Sequence, residues 1–159
     1  MDIYNTPITF VKRKAPLPAD MRPIWRVSII ALLLNLFGRS GKASEQKVHF
    51  LVSVLRDKEK WEILKNVIHK DELPLNLIIR FDPSVNRALL FSHAEGLTER
   101  LKGGSIKLTD KGLTFSKNIL KDTNLFEDEK EFLKNFKKSD FTENRINSII
   151  NLNNLSGQS

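Results

Sequence analysis

The most apolar stretch of the chain is Ile24–Phe37, IWRVSIIALLLNLF, broken by Arg26, Ser28 and Asn35. Its apolar positions face nearly every direction on a helical wheel, which predicts a central helix covered on several sides. Asp20 offers an N-cap and Pro23 suits the first turn, so the helix starts near Arg22 and stops at Gly38. Ser40 and Gly41 make a turn. Behind Ser44, a capping side chain, Val48, Leu51, Val52 and Leu55 recur at helical spacing and predict a helix over 44–56. Trp61, Leu64, Val67 and Ile68 predict another over 58–70, ended by the approach to Pro74. Residues 75–81, LNLIIRF, are short, β-branched and bounded by Pro74 and Pro83, which reads as a strand.

Asp82-Pro83 then combines a cap with a residue whose fixed φ suits the first helical position, and Gly96 marks an end, giving a helix over 83–95. Two short strands, 97–102 and 105–109, flank the turn Gly103-Gly104. Thr109-Asp110-Lys111-Gly112 leads into Leu113, Phe115, Ile119 and Leu120, a helical period reaching about Lys121. Beyond it, Glu127-Asp128-Glu129 opens a helix carrying Phe132, Leu133 and Phe136. Ser139-Asp140 caps another carrying Ile146, Ile149 and Ile150, and the terminal NLNNLSGQS is expected to fray. The first twenty residues contain Pro7, Pro16 and Pro18 and read as an extended arm. The fold class is mainly α with a small β-hairpin (α+β): an arm over 1–21, a domain over 22–122 and a helical extension over 123–159.

Composition narrows the chemistry. A length of 159 residues supports one core with appendages. With no cysteine, disulfides, thiolate zinc sites and cysteine nucleophiles are excluded together, and a cytoplasmic location is the expectation. The fourteen-residue apolar run falls short of the roughly 20 that a membrane span requires, and Gly38–Lys42 is a poor signal-peptide cleavage site. The net charge of +7 is unevenly placed. Residues 1–70 hold 13 Lys+Arg and 6 Asp+Glu, residues 71–122 hold 8 and 7, and residues 123–159 hold 5 and 6.

Local motifs give no active site. Gly41-Lys42 would need a glycine at Leu36 and a hydroxyl at Ala43 to be a phosphate-cradling loop. His49, His69 and His93 are far apart and lack zinc spacing, and the acidic residues show no acid–base or nucleophile pattern. The reading is therefore a protein that is not an enzyme, with no cofactor and no metal.

The succession of the helix over 83–95, Gly96-Leu97, a glycine-tipped hairpin and the Leu108-Thr109-Asp110-Lys111-Gly112 opening of a helix resembles the second half of a bacterial winged helix-turn-helix. That resemblance implies a recognition helix over 83–95 and a wing at the hairpin. One departure is that the strand over 75–81 precedes the recognition-like helix, whereas the usual small strand follows the first helix. A looser resemblance covers the whole chain. Tyr4-Asn5-Thr6-Pro7, then a long apolar helix, a winged helix and terminal helices, is similar to the middle component of bacterial ABC three-component systems, to which Lamassu-like antiphage defence is related. It implies a non-catalytic adaptor docked on an SMC-like or RecN-like ATPase and an effector subunit, with DNA held through its backbone.

The residues of the recognition-like helix qualify that picture. Arg87, Leu90, Phe91 and Ala94 share one side, while Val85 and Leu89 point elsewhere. A base-reading face ordinarily presents Arg, Lys, Asn or Gln, and this one offers Arg87 with Asn86 and His93 flanking. Either Phe91 is buried by the C-terminal helices, the favoured reading, or Arg87, Leu90, Phe91 and Ala94 form a partner-binding surface. Phosphate contacts are expected from Lys12, Arg13, Lys14, Lys42, Lys47, Arg87, Arg100, Lys102, Lys107 and Lys111. The alternative function is a winged-helix transcriptional regulator.

Overall fold

The computed structural model describes residues 22–74, 77 and 82–156. The first helix, α1 (Pro23–Phe37), is followed by a two-residue strand, β1 (Lys42–Ala43), then by α2 (Glu45–Arg56) and α3 (Glu59–His69). After α4 (Pro83–Ala94) come the strands β2 (Thr98–Arg100) and β3 (Ile106–Leu108) and the helix α5 (Asp110–Lys121). The chain closes with α6 (Glu127–Leu133), a 3₁₀ turn at Lys138–Phe141 and α7 (Glu143–Ser156).

The central helix behaves as its composition requires. Every residue from Trp25 to Leu34 is buried, and α1 packs against α2, α4, α5 and β3. Each fully buried Leu or Ile contributes about 1.5–3 kcal/mol, so this one helix anchors much of the core. Gly38 stops it, its N–H donating to the Leu34 carbonyl at 3.0 Å. Lys47 of α2 then reaches back, and its Nζ donates to the Phe37 carbonyl at 2.8 Å. That satisfies one of the carbonyls a helix end leaves open and places a cation at the negative end of the dipole.

The sheet is antiparallel with strand order β1-β3-β2. Lys42 stands opposite Lys107 and Ala43 opposite Ile106, while Thr98, Glu99 and Arg100 face Leu108, Lys107 and Ile106. The strand after α1 was not foreseen, since two residues carry no alternation. The hairpin was foreseen, although its strands are shorter than the predicted segments.

The Leu108–Gly112 segment is a splice between α4 and α5. The Thr109 side chain accepts from the Gly112 N–H at 3.1 Å, capping α5, and its hydroxyl donates to the Gly96 carbonyl. Lys111 Nζ donates to the Glu95 carbonyl at 2.7 Å, closing the end of α4. Gly112 sits where a Cβ would overlap the Leu97 carbonyl oxygen and lie 2.9 Å from Leu108 Cδ2, so only glycine lets α5 approach the hairpin this closely.

The C-terminal segment shares the core instead of sitting outside it. Phe132 stacks on Trp61 with ring centroids 4.6 Å apart, and Phe141 meets Phe37 edge-on at 4.9 Å and Phe136 at 5.0 Å. Glu143, the first residue of α7, crosses to the start of α2. Its Oε1 accepts from the Ser44 N–H at 2.9 Å and its Oε2 from the Ser44 hydroxyl at 2.6 Å. The same Ser44 hydroxyl oxygen accepts from the Lys47 N–H at 3.0 Å as the cap of α2.

Three expectations need correction or fall elsewhere. The cap of α7 is Thr142, whose Oγ1 accepts from the Arg145 N–H at 3.2 Å, and not Ser139-Asp140. Asp140 is spent within the 3₁₀ turn, accepting from the Lys137 N–H at 2.7 Å. The tail does not fray at Asn151, because α7 continues to Ser156. The arm over 1–21 lies outside the described residues, and so does most of the strand expected over 75–81. Its Leu77 is buried and accepts at its carbonyl from Asn153 Nδ2 of α7 at 2.7 Å.

Asp82 caps α4, accepting from the Ser84 N–H at 2.9 Å, and pairs with Arg56 at 2.8 Å. Burial pushes its carboxyl upward, but hydrogen bonds from Ser84 and the charges of Arg56 and Arg26 outweigh this and hold it below the usual range. A carboxyl depressed in the fold stabilises above its unfolded pKa, and that contribution is lost as pH falls through the folded value. Unfolding midpoints should therefore drop below about pH 4. The Asp82→Asn variant, which keeps a capping side chain, should show a shallower acid slope in urea titrations; an unchanged slope would remove Asp82 from the account.

Candidate interaction surfaces

The helix α4 is two-sided. Val85, Ala88, Leu89 and Ser92 are buried against the core, with Ser92 Oγ and Thr98 Oγ1 sharing a buried hydrogen bond of 2.9 Å. Arg87, Leu90, Phe91 and Ala94 lie on the outer side and are exposed. Leu90 is 69% exposed and Phe91 49%, which overturns the favoured expectation that the C-terminal helices bury Phe91. Those helices pack on α2 and on the aromatic seam of Trp61, Phe132 and Phe136, leaving α4 to α1 and β2.

The polar groups of α4 are largely turned inward. Asn86 Oδ1 pairs with His49 Nε2 at 2.9 Å, and His93 Nδ1 with the Thr98 carbonyl at 3.1 Å. Arg87 is the one Lys or Arg that α4 carries. Beside it the outer side presents leucine and phenylalanine, a combination suited to another protein surface more than to base edges. A hollow of ≈ 100 Å³ bounded by Leu90, His93, Arg100 and Ile106 continues this surface onto the hairpin.

The cations named from sequence are dispersed. Lys12, Arg13 and Lys14 lie outside the described residues. Lys47 is buried and bonded to the Phe37 carbonyl, so it does not reach a phosphate; that expectation is corrected. Its ammonium is depressed below the ordinary lysine range, first by burial and further by Lys138, while Glu143 opposes the shift. Arg100 is drawn to Glu45 at 3.3 Å and Lys111 to the Glu95 carbonyl. Lys102 is exposed in the turn between β2 and β3, and Lys42 and Lys107 share the outer face of the sheet.

Two cations were missed. Arg39, in the turn after α1, and Lys138, in the 3₁₀ turn, come together with Lys42 around a cavity of ≈ 400 Å³. Arg39 and Lys138 are 99 positions apart, so no local pattern could pair them; the Lys137-Lys138 dipeptide in a net acidic tail was the one available hint.

Each histidine has an intramolecular partner, His69 stacking on Phe136 and pairing with the Asn135 carbonyl at 3.0 Å. Among the described residues no group of three or more His, Cys, Asp or Glu could hold a metal, and no helix is long and apolar enough to cross a membrane. Comparison with family models, with curated proteins and with solved structures found no match.

Proposed function

We propose that residues 22–122 form a winged-helix unit serving as a non-catalytic accessory subunit, docked through the outer side of α4 on an SMC-like or RecN-like ATPase of an antiphage defence complex. The order α1, β1, α2, α4, β2, β3 with sheet order β1-β3-β2 supports the winged-helix reading, α3 being an additional helix ahead of α4. β1 supplies the small strand after the first helix that the sequence reading lacked. The single observation that carries the adaptor role is the exposure of Leu90 and Phe91 on the helix that would otherwise read bases.

Burying two such side chains in an interface contributes about 1.5–3 kcal/mol each. Leu90→Ser with Phe91→Ser should therefore weaken co-elution with an ATPase encoded beside this chain by at least about 100-fold, at unchanged melting temperature. Co-elution at wild-type levels would sink the reading. The regulator alternative is favoured by Arg87, Lys102 and Lys107 on one helix-and-hairpin unit. It requires a protected operator in footprinting, usually of two half-sites one DNA turn apart.

A further inference from the structure

The cavity beside β1 has a charge balance that the fold does not use. Arg39, Lys42, Lys47 and Lys138 line it against one carboxylate, Glu143. Both oxygens of Glu143 are taken by Ser44, and Lys47 is committed to the Phe37 carbonyl. Arg39, Lys42 and Lys138 are exposed and make no side-chain hydrogen bond or ion pair among the described residues. The first turn of the fourteen-residue α7 also opens here through Glu143 and Asn144, positions whose N–H groups have no intrahelical acceptor.

This arrangement costs stability. Lys138 disfavours the charge on Lys47, and Lys42 stands directly opposite Lys107, a like-charge pairing that destabilises a sheet. An external anion would offset both costs. The cations do not stop at the cavity, because Lys107 carries the line from Lys42 across the outer face of the sheet. A continued line suits a polyanion better than an isolated ion.

We propose that this cavity seats a phosphodiester of a nucleic-acid strand, held by Arg39, Lys42 and Lys138 with the amide end of α7, and that the strand runs on over Lys107. Contact is to the backbone alone and independent of sequence. The seat deepens the accessory-subunit reading and rests on it for the choice of nucleic acid. It shares no residue with the α4 surface, so the two fail separately.

The test is binding of a short fluorescent DNA duplex to the full chain across about 50–200 mM salt. Replacing Arg39, Lys42 and Lys138 together by alanine should weaken binding at least tenfold at the low-salt end. It should also flatten the log–log salt dependence by roughly 2–3 units, at about 0.9 per lost phosphate contact. The Leu90→Ser, Phe91→Ser protein should bind duplex as the parent does, even where it no longer holds the ATPase. Parental affinity and slope in the triple variant would overturn the seat. So would binding of inorganic phosphate without binding of duplex, which would assign the cavity to a small phosphorylated ligand. Displacement of duplex by polyglutamate at equal charge concentration would assign it to an acidic protein and overturn the nucleic-acid reading. All three side chains are exposed, and a parental melting temperature verifies that the fold persists.

Discussion

Gly112→Ala is expected to lower stability by about 3 kcal/mol or more, although alanine is the better helix former. The propensity gain in a helix interior is about 1 kcal/mol. Against it stands a Cβ that overlaps the Leu97 backbone carbonyl and crowds Leu108 Cδ2. Backbone cannot rotate aside as a flexible side chain does, so α5 would have to lift off the hairpin, and overpacking of this kind costs 1–3 kcal/mol and occasionally more (about 3 here). The lift also pulls on the Thr109 and Lys111 bonds that close α4. Urea unfolding measures the effect, with Asn118→Ala, exposed on the same helix, as the control that reports propensity alone. A Gly112→Ala midpoint equal to the parent's would show that α5 is not seated on Leu97.

Phe141→Ala should cost about 3–5 kcal/mol, the range for deleting a buried aromatic ring. Phe141 is fully buried and touches Phe37 from the end of α1 and Phe136 from the stretch after α6. Leu152→Ala, at a position 45% exposed, should stay within about 0.5 kcal/mol. The fluorescence of Trp25 and Trp61 reports the outcome. If residues 22–122 were stable by themselves, the Phe141 variant would leave that transition where it was. A shared core requires the whole transition to move to lower urea.

Where the sequence spoke clearly, a single residue had a single physical use. The Ile24–Phe37 run announces a helix covered all round, and Thr109 and Gly112 announce the start of α5, because capping and close approach depend on near neighbours in the chain. Burial of charge did not announce itself. Lys47 looks like any helix-surface lysine until the end of α1 arrives to accept from it. The outer side of α4 could be grouped on a wheel, but which side meets the core depends on where α6 and α7 pack, and that is settled by Phe132, Phe136 and Phe141 against distant partners. Ser139, Asp140 and Thr142 were equally good caps on paper. The Asp140 bond to Lys137 removed it from that role and left Thr142. The anion seat was least legible, since its cations come from a turn, a two-residue strand and a 3₁₀ turn.

The enclosure of α1 also orders events during synthesis. This helix leaves the ribosome before any of the elements that cover it, and its cover is incomplete until α5 has followed through Lys121. At 5–20 residues per second that delay is roughly 4–17 seconds, in which a nearly uncharged segment of leucine and isoleucine waits beside nascent chains of its own kind. The interval is long compared with the microseconds in which helices form. Yield in a cell is thus governed by what shields α1 during translation, through a holding chaperone or slow growth temperature, more than by the stability of the finished fold.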